Sequence, residues 1–208
     1  MERLLDDFPI FPLPVVLLPT EVIPLHIFEE RYKAMIELCL DEESEFGIVW
    51  LSDDGLKDVG CTARITEVLE RMDDGRMNVL VEGTTPFRLL ERHEQHVYPA
   101  ATVELLDDGG EDSESAEGVE AREGYATLVE RVTEQRPEDS AVADLGAYEM
   151  AATVDFGLDA KQGLLELRSE QARLRLLSRL FRSAMERLDV AEKVAERARG
   201  NGKVQFSG

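Results

Sequence analysis

The sequence predicts an α+β protein in which a β-rich, partly closed barrel is followed by a C-terminal helical bundle. Three observations carry this. Short apolar runs punctuated by turn residues crowd the first half, apolar positions at helical spacing fill the second, and an acidic run without apolar periodicity, DDGGEDSESAEG (107–118), separates them. The expected organisation is a barrel subdomain over 1–106 with one helix at about 26–43, an acidic flexible connector over 107–120, a helical subdomain over 121–200 ending in a long helix, and a disordered tail over 201–208.

The chain opens on five prolines, Pro9, Pro12, Pro14, Pro19 and Pro24. Proline fixes φ and has no amide hydrogen, so no regular central strand is expected here, only short extended pieces such as 15–18 at a sheet edge. A helix follows. Phe28, Tyr32, Met35, Ile36, Cys39 and Leu40 form one apolar stripe at the 3.6-residue period, and Glu29 and Glu30 in the first turn suit the helix dipole.

Strands come next. FGIVWL (46–51) is an apolar run of the buried-strand type. TARITEVLERM (62–72), the turn Asp73-Asp74-Gly75 and RMNVLVEG (76–83) read as a hairpin, with Met77, Val79 and Val81 alternating toward the core. PFRLLER (86–92) and VYPAATVELL (97–106) read as two further strands, and closure of the set would hide its edges.

Beyond the connector, Tyr125, Leu128, Val129 and Val132 mark a helix that stops before Pro137. Val142, Leu145 and 149–152 suggest a second helix. Asp159 and Gln162 have capping-box spacing at the start of a short third one. Ser169 is the expected N-cap of the last helix, whose apolar face is Leu174, Leu177, Phe181, Ala184 and Leu188.

The chain carries 44 acidic and 23 basic residues, a formal net charge of −21. Residues 1–106 alone hold 22 acids against nine bases. A polyanion repels phosphate backbones and anionic bilayers, so neither nucleic acid nor a membrane is an expected partner. No run of 18 apolar residues exists and the N-terminus MERLLDDF has no signal-peptide pattern. Two cysteines, Cys39 and Cys61, fit a reducing compartment, and the expected location is cytoplasmic.

Catalytic motifs are missing from the sequence. There is no phosphate-binding G-x-x-x-x-G-K-[ST], no G-x-S-x-G, no H-E-x-x-H and no C-x-x-C. His93 and His96 form an H-x-x-H between two expected strands, without further clustered ligands, and read as a solvated loop. His26 and Glu29 have the residue types of a general base and its orienter. At the mouth of a helix beside Pro24, His26 is expected instead to bond a neighbouring backbone group, and Arg31 to pair with a carboxylate. No catalytic residue, cofactor or metal is expected.

The stretch FPLPVVLLPTEVIPLHIFEERYKAM (11–35) resembles the opening of the Lon protease N-terminal domain, and is most similar to its stand-alone bacterial form. DVGCTARITEVLERMDDGRMNVLVEG (58–83) resembles the hairpin of that domain, and KQGLLELRSEQARLRLLSRLF (161–181) its helical ending. Two departures stand out. Thr20 occupies a turn position where the family usually has Gly, and Pro86 stands where it often has Arg.

The resemblance implies a PUA-like barrel with a helical bundle, and a non-catalytic module that binds polypeptides or a protein partner. It implies no ATPase or Ser/Lys peptidase within these 208 residues. His26, Glu29, Arg31 and Tyr32 match the family motif and are read as scaffold residues. Two other readings stand beside it: a small-molecule or enzymatic cleft around His26, Glu29 and Arg31, and RNA binding through the PUA-like fold, which the charge opposes.

Overall fold

The fold, taken from a computed structural model, is described for residues 3–93, 95–106 and 115–201. The elements run β1 (Arg3–Leu13), β2 (Val22–Ile27), α1 (Glu30–Asp41), β3 (Phe46–Ser52), β4 (Gly55–Leu56), β5 (Val59–Arg71), β6 (Met77–His93), β7 (Ala100–Leu105), α2 (Ala116–Thr133), α3 (Asp139–Val142), α4 (Ala147–Ala152), α5 (Leu158–Glu166) and α6 (Glu170–Asn201). It is the mixed architecture the sequence predicts, a seven-stranded sheet curled into a ring with helices after it.

Five strands make the ring. β1 pairs β7, β7 pairs β6, β6 pairs β5 and β5 pairs β3, all antiparallel, and a parallel β1–β3 ladder closes it. Phe8, Ile10, Val49, Phe87, Ala101 and Val103 form one apolar cluster between these strands. Gly47 and Gly60 make room for its largest member, because a Cβ on either would stand 2.6 and 2.8 Å from the Phe87 ring. The larger cluster lies on the flank of the ring. There α1 brings Tyr32, Met35, Ile36 and Cys39 to Phe46, Val79 and Val81, and Leu164, Leu174, Leu177 and Phe181 of the helical part join the same core.

A strand does run through the early prolines, contrary to the sequence expectation. β1 changes partner midway: Arg3–Pro9 pairs β7, and Ile10–Leu13 pairs β3. Pro9 is the last residue of the first ladder and Pro12 is the third of four in the second, so each lost donor falls near a ladder end. Residues 15–18, expected as an edge strand, are instead a loop whose Val16, Leu17 and Leu18 are buried. The proline-bearing edge strand is β2, which pairs β6 and carries Pro24.

Other expectations shift by a few residues. α1 begins at Glu30, so Phe28 lies outside it and is 59% exposed, while the rest of the predicted stripe packs inward. The two strands expected over 76–83 and 86–92 are one, β6, continuous through Pro86. α2 starts at Ala116, inside the stretch read as a connector; Ser115 caps it, its Oγ accepting from Gly118 N at 3.2 Å. Residues 107–114 of that connector, and 202–208 of the predicted tail, lie outside the described residues.

The second expected helix is split into α3 and α4. Asp159 is not a cap, because α5 starts at Leu158 after Gly157, and Gln162 is buried with Nε2 donating to Val59 O at 3.1 Å and Glu166 Oε1 at 2.8 Å. Ser169 does cap α6, its Oγ accepting from Ala172 N at 3.4 Å. Within α6, Arg173 is buried: it bonds Glu170 at 3.0 Å and Leu167 O at 2.9 Å, and its guanidinium stacks on Tyr148.

Candidate functional site

The motif stretch reaches the site in two parts. Residues 18–21 form a tight turn, with Glu21 N donating to Leu18 O at 3.1 Å. Proline at its second position and a positive φ of 67° at Thr20, its third, are the marks of a type II turn, which favours glycine at that third place. Thr20 N donates to Gly83 O at 2.8 Å, and Gly83 N returns the bond to Glu21 O at 2.9 Å. The Glu21 carboxylate accepts from Leu18 N at 3.0 Å and pairs with Lys161 of α5, tying the turn to the helices.

Residues 26–32 lie across the other end of β2 and enter a groove. His26, Glu29, Arg31 and Tyr32, the four residues singled out from the sequence, all stand in the wall of one hollow of about 510 Å³ with Phe28 and Leu51. A second hollow of about 840 Å³ shares Pro12, Arg31, Leu56, Arg92 and Pro99 with it and adds Leu90 and Val97. A third, of about 490 Å³, adjoins both at Leu56 and Arg92. The apolar lining is exposed: Phe28 59%, Leu51 50%, Leu90 50% and Val97 74%.

The polar side chains of the groove are held from below. His26 is not at a helix mouth and does not bond backbone. It sits on β2, opposite Asn78 of β6, and its Nδ1 donates to Asn78 Oδ1 at 2.6 Å. Asn78 Nδ2 donates in turn to Glu70 Oε2 at 2.9 Å, and the imidazole stacks on Phe28. Glu29 accepts from Arg31 Nε at 2.9 Å, the carboxylate pairing expected for Arg31, and so is engaged away from His26. The Arg31 guanidinium lies 4.5 Å from the centre of the Tyr32 ring, which stacks on Phe11, and burial raises the Tyr32 pKa above its usual value.

His93 and His96 converge on Asp7, which the solvated-loop reading did not foresee. Asp7 breaks the β1–β7 register with φ 52°, and its Oδ1 lies 2.6 Å from His93 Nδ1 and 3.2 Å from His96 Nε2. Hydrogen bonds from the two imidazoles hold the Asp7 carboxyl below the usual range. His93 Nε2 is 3.1 Å from Thr102 Oγ1, whose own hydrogen goes to Asp6 Oδ1 at 2.9 Å. Asp7 lies 86 residues from His93, and no local pattern announces the meeting.

Neither cysteine is a poised thiolate. Cys39 and Cys61 are buried, and desolvation raises both thiol pKa values. No group of three or more His, Cys, Asp or Glu side chains suited to a metal ion occurs among the described residues. Among the same residues, no helix is long and apolar enough to cross a membrane. A further apolar hollow of about 600 Å³, walled by Val132, Phe156 and Leu188, opens in the helical part.

Fold and groove define a class of domain: a small five-stranded ring with a helical flank, hollowed at the surface. The chain belongs to the Lon substrate-binding domain family, as the family model described as the ATP-dependent protease La (LON) substrate-binding domain matches residues 7–183. It is 28% identical over 218 residues to Lon protease 2 of Myxococcus xanthus, covering 92% of this chain and 25% of that protein. It is 26% identical over 210 residues to the Lon protease of Escherichia coli K12, covering 93% and 27%. The chain thus spans about a quarter of the length of these relatives.

Among solved structures, it resembles a Lon N-terminal domain protein from Xanthomonas campestris with a TM-score of 0.63 and 24% identity, over 82% of this chain and 95% of that one. It resembles the N-terminal domain of the Mycobacterium avium complex Lon protease with a TM-score of 0.59 and 19% identity, over 84% and 97%. These likenesses bear out the fold.

Proposed function

We propose that this chain is a non-catalytic binding module that holds a polypeptide segment in the groove between β2, β4 and the end of β6. The observation that carries the reading is the exposure of Phe28, Leu51, Leu90 and Val97 around adjoining hollows. Isolated exposed apolar side chains are ordinary, but several gathered on a concave surface favour burial against a partner. Membership of a substrate-binding family supports a polypeptide as that partner. The underlying polar contacts keep the walls in place, so a segment binding there pays little to order them.

The test is fluorescence anisotropy with labelled apolar peptides against the wild type and a Phe28→Ser/Leu90→Ser double variant. Loss of these two contacts is expected to weaken binding at least tenfold, since burying each ring or branched chain is worth about 1.5–3 kcal/mol. Both side chains are at least half exposed, so the melting temperature should barely move. Equal affinity in the two proteins, or no peptide binding by the wild type, would overturn the assignment.

A further inference from the structure

We propose that the groove takes an apolar peptide segment bearing a carboxylate, and that Arg92 receives that carboxylate; this rests on the groove's being the polypeptide site. The charge of the chain makes the position unusual. With 44 acids against 23 bases, most of the surface repels a carboxylate. The arginines of the barrel half are mostly spoken for: Arg31, Arg64, Arg71, Arg76 and Arg88 are each held by a Glu or Asp within 3.3 Å or less. Arg92 makes no ion pair with any described residue, yet it is the side chain, with Leu56, that lines all three adjoining hollows.

The surroundings repel an anion less than the rest of the barrel half does. Arg31, Lys57 and Arg92 balance Glu29, Glu91 and Asp58 in these walls, and Glu29 is already engaged by Arg31. Residues 1–106 hold 22 acids against nine bases, so a wall in which bases equal acids repels a carboxylate less than the barrel half as a whole. A guanidinium binds a carboxylate through two parallel hydrogen bonds, which fixes direction as well as adding affinity. Leu90 and Val97 in the same wall give a peptide, but not a small free anion, apolar surface to bury. The carboxylate has two sources, a chain terminus or an Asp or Glu side chain, and the chemistry at Arg92 is the same for both.

The experiment uses one labelled apolar peptide in three forms: with a free C-terminal carboxylate, amidated, and amidated with one internal Glu. Each is titrated into the wild type and into Arg92→Gln. At least one carboxylate form is expected to bind the wild type roughly tenfold more tightly than the plain amide, the size of one charge-assisted contact. Arg92→Gln should erase that difference, bringing the carboxylate forms down to the affinity of the plain amide, with the melting temperature unchanged. Preference for the free terminus or for the Glu form tells the two sources apart, and either supports the proposal. Equal binding of all three forms by the wild type overturns it while leaving the groove intact, as does an equal loss of all three in Arg92→Gln. Failure of every form to bind the wild type overturns the groove reading as well.

Discussion

The two ends of the 18–32 stretch behave differently, although they are close in sequence and lie along one strand and its approaches. At 18–21, Leu18 and Pro19 are buried, the backbone bonds Gly83 twice, and Glu21 is clamped to Lys161. At 26–31, His26, Phe28 and Arg31 are exposed, and their polar contacts run along the surface. A continuous motif in the sequence therefore serves two purposes. Its first half joins the ring to the helices, and its second half furnishes a wall of the groove. Substitutions should separate them: the first half answers in stability, the second in binding.

The sharpest way to break that contrast is Gly83→Ala. A Cβ at this position would stand 2.1 Å from Leu18 O and 3.0 Å from the Leu17 side chain, so the turn must leave β6 to make room. Backbone against backbone cannot be relieved by a rotamer change. Two reciprocal hydrogen bonds with Thr20 and Glu21 go with it. The expected loss is about 3 kcal/mol in urea unfolding, at the upper end for overpacking a tight site. A loss below about 1 kcal/mol would show that the turn is as loose as the groove side.

A gentler change goes the other way. Thr20 holds φ 67° while exposed, and a β-branched residue has no side-chain gain there to offset the strain. A left-handed backbone costs an L residue about 1–2 kcal/mol, and glycine's extra freedom in the unfolded chain returns roughly half of that. Thr20→Gly should therefore stabilise the protein by about 0.5–1 kcal/mol. Peptide affinity should stay the same, since Thr20 is no part of the groove wall. Unchanged or lower stability would mean the turn has another means of relieving the strain.

How much was legible in the sequence follows the same division. Local periodicity revealed α1, the β5–β6 hairpin and the buried face of α6, because each repeats its apolar residues against one continuous core. The Thr20 departure likewise pointed to the turn, where a positive φ is found. β1 was hidden because a proline-rich strand is viable only when it changes partner midway, and that depends on two other strands. Phe28 was misread because it keeps helical spacing from Tyr32 while lying before the helix starts. The motif residues His26, Glu29, Arg31 and Tyr32 do share one wall, but Leu56, Arg92 and Val97 complete the groove from distant strands and loops. No spacing rule assembles those.

The smallest expected effect lies at the rim of the groove, where Asp7 joins β1 to His93 and His96. Its folded pKa is depressed from the usual 3.8, first by the His93 hydrogen bond and then by that of His96. A depressed carboxyl contributes stability that is fully present above the unfolded value and is lost as pH falls through the folded one. Asp7→Asn isolates that contribution, because Asn keeps the shape and tolerates the φ of 52° found here. The melting-temperature gap between wild type and variant should be constant at neutral pH and shrink only below 3.8. Asp7 is open to solvent, so the gap should also narrow with added salt at neutral pH. A gap that persists unchanged into strong acid would mean that the two imidazoles hold β1 through hydrogen-bond geometry alone, and the groove rim would then resemble the locked turn more than the open wall.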